Sequence, residues 1–563
     1  MLGRGYWTPD EPREADIAWR MSTQPDKAVP SLAGEAFCEK PALTYWVAGA
    51  AIRLFGASAW SARLPNLLYA AVTALAVGLL GRRSAGPLAG MIAAGAIATF
   101  LLSYQVAIWL ATDAPLAAAV AVALLGAYRG FYAESRRERL YGYTLMHAAL
   151  AAGFLCKSAA AWMVPALALL TLAIWERRFK ELSRWELYAG LAIQAAVILS
   201  WVWSVYQGPD GPANLKVFFW NNLAGRFAHV EAPQAIQYAA AHRNTPGKYF
   251  IELPMYLLPW TLLAAAAARR AWLARRAPPA TLRAVRFALA TALPSLALLS
   301  VAATARNIYL APALPGFALL LGWWAEETLA VRDRWDLRAL RVTAFLLLAA
   351  VLIFAIVAAL LCIDAWPELT GVAWATSAAI SVSGLAVATI LCLRAQTAAA
   401  RGAIETPLGA LFLAYCALLT APCSQIFRQV DRWQDLASVG RSIERDALSR
   451  PLILMGPDET TRAFVDMYAH TQVGLIKPPI DDGSLGQLRE LLAEEPGALV
   501  AVQLPGRRLS GAALLLADAL GIAAGRLSAL PDAPPWAPAL ELRARQEYAL
   551  PNGRRYALLE VIR

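Results

Sequence analysis

A run of about 17–25 mainly apolar residues can cross a bilayer as a helix, and this chain carries a dozen of them in succession. They read as 61–80, 86–104, 114–133, 140–156, 158–175, 186–206, 249–268, 283–302, 307–329, 342–363, 371–393 and 404–423. No other feature restricts the fold so strongly. In lipid a segment must satisfy its own backbone hydrogen bonds, and a helix does so without a partner. Composition agrees, at 59% hydrophobic and 16% charged residues, against about 45–50% and about 25% in soluble globular proteins.

The positive charge has an order of its own. Arg82 and Arg83 follow the first run, and Arg136, Arg137 and Arg139 the third. Arg177, Arg178, Lys180 and Arg184 follow the fifth, and Arg269, Arg270, Arg275 and Arg276 the seventh. Arg332, Arg334, Arg338 and Arg341 follow the ninth, and Arg394 and Arg401 the eleventh. Every second loop is basic, and the positive-inside rule assigns those loops to the cytoplasm. The net charge of +11 is thereby used in loops, which argues against a nucleic-acid surface. The outward loops are then Asp10–Trp60, the segment near Asp113, Gly208–Lys248, the turn near Arg306, and everything after Ser424. This topology places the N-terminal segment outside with no span or signal peptide ahead of it, so it predicts a further span upstream of Met1.

After Ser424 the apolar runs stop. PLILM (Pro451–Met455), ALVAVQL (Ala498–Leu504) and YALLEVI (Tyr556–Ile562) read as strands. Asp458–His470 and Leu509–Leu527 read as helices between them. The predicted class is an all-α polytopic membrane protein of about twelve transmembrane helices with a small α/β periplasmic C-terminal domain. Its divisions are 1–60, a periplasmic loop with juxtamembrane helices; 61–423, the transmembrane part with an outer loop over 207–248; and 424–563, the appended domain. The six cysteines form no CxxC pair and no zinc spacing, and no Gly-rich phosphate loop is present.

Four features share the outer face: Asp10–Glu11 in PDEPRE, Glu39–Lys40 in FCEKPALTYW, Asp113 in WLATDAPL, and Arg226 in NNLAGRF. Charge in an exposed loop needs no special cause. Asp113 differs, because it interrupts apolar sequence at the membrane edge, where carboxylates are costly and usually functional. Its position before Ala114–Pro115 equally suits a helix N-cap. Lys157 in FLCKSAAAW and Arg306 in ARNIYLAP also face outward, to attract anionic lipid or to snorkel to headgroups. Two carboxylates with a Lys and an Arg around a membrane-level cavity suit transfer from a lipid phosphate carrier. Lys and Arg stabilise the charge developing on the departing phosphate, and a carboxylate takes the acceptor's proton or orients the acceptor.

These motifs, in this order, resemble the GT-C glycosyltransferases that use polyprenyl-phosphate sugars. PDEPREADIAWRM, FCEKPALTYWVAGAAIRLFGASAWSARLPN, YQVAIWLATDAPL, GFLCKSAAAWMVPALAL, NNLAGRF, ELPMYLLPW and ARNIYLAPALPGFALLLG cover roughly residues 6–325. They are most similar to the aminoarabinose transferases acting on lipid A and to the dolichyl-phosphate-mannose-protein mannosyltransferases. The resemblance implies Asp10 and Asp113 as catalytic carboxylates. It implies Glu11, Lys40, Arg226, Arg306 and Tyr309 as substrate contacts, with Lys40 and Arg226 on the carrier phosphate. Ala42 stands where the family's EKPP motif has its second Pro. Some members hold a divalent metal near the first-loop acids, which makes Glu39 its candidate ligand; no other cofactor is implied. The implied partners are a polyprenyl-phosphate-sugar donor, a lipid A, glycolipid or protein acceptor, and membrane lipids. The implied location is the bacterial inner membrane, with the active site periplasmic. Family members open with a transmembrane helix before the acidic motif, matching the upstream span the topology predicts.

Two readings from other classes compete. A lipid or polysaccharide transporter also has many spans and buried charges, but it would more often show repeats with interrupted helices, and none is visible. A non-catalytic envelope assembly protein would use its C-terminal domain to bind partners.

Overall fold

A computed structural model describes residues 2–223, 245–278, 282–302, 306–364, 371–423, 427, 431, 434–469, 472–505, 533–550 and 552–562. Arg226, Phe227 and the predicted helix Leu509–Leu527 lie outside the described residues.

Ahead of the long helices stand α1 (Glu11–Thr23), a two-strand hairpin of β1 (Ser31–Leu32) and β2 (Glu35–Ala36), and α2 (Leu43–Phe55). Gly49 lets α2 lie on α1, since a Cβ there would meet the Ser22 backbone nitrogen at 3.0 Å. Next come α3 (Ala59–Ala85), α4 (Pro87–Thr99), α5 (Leu101–Ile108), α6 (Asp113–Phe131), α7 (Arg136–Lys157) and α8 (Ala160–Trp175). A Ser58–Ser61 capping box starts α3, and Ser135 caps α7 through the Glu138 amide; each satisfies amides that the first turn leaves without partners. Next in the chain come α9 (Trp185–Ala189), α10 (Leu191–Gln207) and, within the predicted outer loop, α11 (Gly211–Lys216). Beyond it are α12 (Lys248–Tyr256), α13 (Thr261–Ala274), α14 (Arg283–Val301), a 3-10 turn at Asn307–Ala313, α15 (Leu314–Val331), α16 (Arg334–Asp364), α17 (Gly371–Ala400) and α18 (Glu405–Thr420).

Each of the twelve apolar runs meets a helix or a helix pair. Among the described residues, seven helices are long and apolar enough to cross a membrane, or nine if two bent pairs each count as one. The bends are 59° between α4 and α5 and 113° between α12 and α13. α8 and α18 are apolar but shorter, and α7 begins on Arg136, Arg137, Glu138 and Arg139.

The basic loops converge on one end of the bundle. Arg83 pairs with Glu138, Arg139 lies 3.8 Å from Glu181, Arg286 lies 3.7 Å from Glu176, and Arg269 lies 3.2 Å from Asp333. Arg341 then donates to the Ala399 carbonyl at 3.1 Å. Successive basic loops are thus tied to one another in chain order.

The C-terminal part has α19 (Leu436–Ala447), β3 (Leu452–Met455), α20 (Glu459–Tyr468), β4 (Gln472–Ile476), α21 (Asp482–Glu494), β5 (Leu499–Leu504), β6 (Leu542–Ala549) and β7 (Arg555–Val561). The strands form one mixed sheet in the order β4-β3-β5-β7-β6. β3 is parallel to β4 and β5, and β7 is antiparallel to β5 and β6. Leu452 and Leu454 face the core that includes Val439 and Phe464, whereas Ile453 and Met455 face the core that includes Leu488. Both faces of β3 are therefore covered, and its residues are apolar without alternation. The sequence reading found β3, β5, β7 and α20 but missed β4, β6, α19 and α21. β6 reads LRARQEYA, too polar to mark a strand.

Candidate active site

At the end opposite the basic loops, α1 presents Asp10, Arg13 and Glu14 on one face, at the i, i+3, i+4 spacing of a helix. They border a cavity of about 330 Å³. Asp10 occupies the N-cap position but makes no side-chain cap. Its carboxylate turns to Arg306, which donates to Oδ1 at 3.1 Å and also to Oδ2. Arg13 Nη2 donates to the same Oδ1 at 3.3 Å. Burial alone would raise the Asp10 pKa, but the Arg306 hydrogen bonds and the charges of Arg13 and Lys40 outweigh it and hold the carboxyl below its usual range.

Glu14 is sealed among donors. Lys40 Nζ reaches its Oε1 at 2.5 Å and Tyr45 donates to Oε2 at 2.9 Å. Burial opposes its ionisation, and Lys40 and Arg13 outweigh burial, so its pKa is lowered. Lys40 is itself buried, carried into the cavity by the chain between β2 and α2.

The second half of the site comes from α6 and α7. Asp113 is the first residue of α6, and neither it nor Thr112 caps that helix. The N-cap reading of Asp113 is thus corrected: the carboxylate accepts from Lys157 at 2.6 Å, across from the last turn of α7. Lys157 Nζ also lies 4.8 Å from the Tyr309 ring centroid. Met163, Leu298 and Ile308 give the cavity an apolar side.

The structure therefore brings Asp10, Glu39, Lys40, Asp113, Arg306 and Tyr309 to one cavity. Glu11 is a correction. It is fully buried away from the cavity, where Arg4 and Arg63 donate at 2.5 and 2.9 Å and the Leu110 amide at 2.8 Å. One residue further round the helix, its carboxylate points to the back of α1 and binds the N-terminal segment. Sequence reasoning missed Arg13, Glu14 and Asn222, which also line the cavity; the helical period running from Asp10 was the available signal for the first two.

Glu39 lines the cavity, but the residues present do not fit a divalent ion. Asp10 and Glu14 already accept from Arg306, Lys40 and Tyr45. Among the described residues no three His, Cys, Asp or Glu side chains stand close enough together to hold a metal.

Comparison with solved structures gives the fold. The chain has the fold of ArnT from Cupriavidus metallidurans bound to undecaprenyl phosphate, with a TM-score of 0.71 over 99% of this chain and 94% of that one, at 17% identity. The apo state of that protein gives 0.67. By sequence, residues 39–203 match the family described as dolichyl-phosphate-mannose-protein mannosyltransferase. The chain is 31% identical over 323 residues to an undecaprenyl phosphate-alpha-4-amino-4-deoxy-L-arabinose arabinosyl transferase of Pseudomonas aeruginosa, covering 57% of this chain and 56% of that protein. The transferase of the same name from Yersinia enterocolitica is 29% identical over 362 residues, or 63% and 61%. The resemblance read from the motifs is borne out, although the chain spans little more than half the length of the curated relatives it matches.

Proposed function

We propose that this protein transfers a sugar, with inversion, from a polyprenyl-phosphate carrier to a cell-envelope acceptor, lipid A or another glycolipid before a protein hydroxyl. The observation that carries the reading is the cavity itself: Asp10 and Asp113, each paired with a cation, beside Lys40 and an apolar side. Inverting transfer breaks the bond between the anomeric carbon and the phosphate oxygen while the acceptor attacks from the opposite face. Lys40, Arg306 and Arg226 are proposed to hold the phosphate, Lys40 and Arg306 by exchanging their carboxylate partners for phosphate oxygens as charge develops there. Tyr309 borders the same space. Asp10, kept ionised, removes the proton of a hydroxyl acceptor; with an already ionised lipid phosphate as acceptor it orients the attack and stabilises the positive sugar.

The same reading counts all twelve apolar runs as spans, places the protein in the bacterial inner membrane, and puts the cavity and residues 424–563 on the periplasmic side. The names of the relatives support undecaprenyl phosphate as the carrier.

The test uses purified protein in proteoliposomes with undecaprenyl-phosphate-linked 4-amino-4-deoxy-L-arabinose and lipid A. Asp10→Asn is expected to lower transfer to lipid A by about 10²- to 10³-fold, the scale of losing one electrostatic stabiliser of the transition state. Lys40→Met is expected to weaken undecaprenyl phosphate binding by at least about tenfold, the scale of one charge-assisted hydrogen bond. Full transfer by Asp10→Asn would remove the centre of the proposal.

A further inference from the structure

The first turn of α20, in the C-terminal α/β unit, sits on the first turn of α1. Thr460 Oγ1 donates to the Pro9 carbonyl at 2.6 Å, which belongs to the residue before Asp10. Glu459 Oε2 accepts from Arg13 Nη1 at 2.5 Å. The other amino group of Arg13, Nη2, lies 3.3 Å from Asp10 Oδ1 and 3.2 Å from Glu14 Oε1. Farther along the same contact, Arg20 of α1 pairs with Asp466 of α20, and Arg462 pairs with Glu35 at 2.8 Å.

A guanidinium is planar and rigid, so fixing one of its amino groups fixes where the other points. Arg13 is buried between two carboxylates that it shares. Released from Glu459, its fork is free to turn and take Glu14 or Asp10 as a bidentate partner, the stronger geometry for this pair. The shared arrangement would then be lost, and Asp10 would be displaced or more fully neutralised. The first turn of α20 is itself braced, because Asp458 caps it through the Thr461 amide at 2.7 Å and Arg554 pairs with Asp458 at 3.1 Å.

We propose that Glu459 is a positioning residue for Asp10. By holding Nη1 of Arg13 it keeps Nη2 shared between Asp10 and Glu14, so the C-terminal α/β unit completes the active site. The inference rests on the transfer reading and gives the C-terminal unit a task at the same site.

The full chain in proteoliposomes decides it, with kcat and donor KM measured for wild type, Glu459→Gln and Glu459→Asp, and the unfolding midpoint of each in detergent. Glu459→Gln is expected to lower kcat about 10- to 100-fold, the penalty of misplacing a reacting group by about an ångström, with donor KM unchanged. Glu459→Asp, which keeps the charge, is expected to recover most of the loss at an unchanged unfolding midpoint. Wild-type protein that transfers no sugar would overturn the transfer reading and this inference with it. Active wild type with an equally active Glu459→Gln variant would overturn the inference alone. Equal losses in both variants, following lowered unfolding midpoints, would also overturn it, because they would mark the contact as merely structural.

Discussion

Asp10 and Glu11 adjoin in the chain, yet the helix that starts beneath them turns their carboxylates to different sides. Asp10 faces the cavity and Arg306; Glu11 faces Arg4 and Arg63, with its own side chain and that of Arg63 wholly buried. Arg63 also donates to the Arg4 and Gly5 carbonyls, so this cluster fastens the segment before α1 to α3. Removing one member of a buried ion pair leaves the others unpaired in a dry place. Glu11→Ala is therefore expected to destabilise the protein by about 3–5 kcal/mol, read as a lowered thermal unfolding midpoint in detergent. An unchanged midpoint would show that the cluster does not fasten the segment. In the sequence the two acids looked like one feature because adjacency says nothing about direction. Direction was set by where α1 begins, and Pro12 in its first turn shows only that a helix begins nearby.

Helix α6 carries Asp113 as its first residue and α7 carries Lys157 as its last, so the spacing of these two helices sets that half of the site. They approach through Gly126 and Gly130, a small-xxx-small pair of the kind that lets membrane helices pack closely. A Cβ on Gly126 would meet the Gly142 carbonyl oxygen and the Met146 amide nitrogen at 2.6 Å each. Both are backbone atoms of α7 and cannot swing aside. Gly126→Ala is expected to cost about 1–3 kcal/mol by overpacking and to reduce transfer, because the Asp113–Lys157 pair between the two helices must shift. Wild-type unfolding and transfer in this variant would show that the helices have room to yield. The helices themselves were legible as apolar runs, since length and composition suffice to mark them. The bends at α4–α5 and α12–α13 were not, because both halves of each pair stay apolar across the break.

Across the whole molecule, ion pairs and hydrogen bonds between loops gather the arginine-rich loops at one end, away from the end that holds Asp10, Asp113 and α20. The proposed orientation puts the arginine end in the cytoplasm. A cysteine at Arg137 is then expected to react with a membrane-impermeant maleimide only after permeabilisation. One at Glu490, exposed on α21, is expected to react in intact spheroplasts, each compared with the parent chain's own labelling. Reversed reactivity would invert the proposed orientation and place the cavity on the wrong side for an envelope acceptor.

Unaided, the sequence determined where the apolar helical segments lie along the chain and that the basic loops share one end. Each of these follows from local composition, which fixes whether a segment prefers lipid, water or an interface. Only the tertiary structure decided that Glu11 leaves the cavity while Glu14 and Arg13 enter it, that Asp113 pairs with Lys157, and that Glu459 reaches Arg13 from more than four hundred residues away. Those outcomes depend on which helix faces meet, and a contact between distant residues leaves no periodic mark on either of the segments that make it.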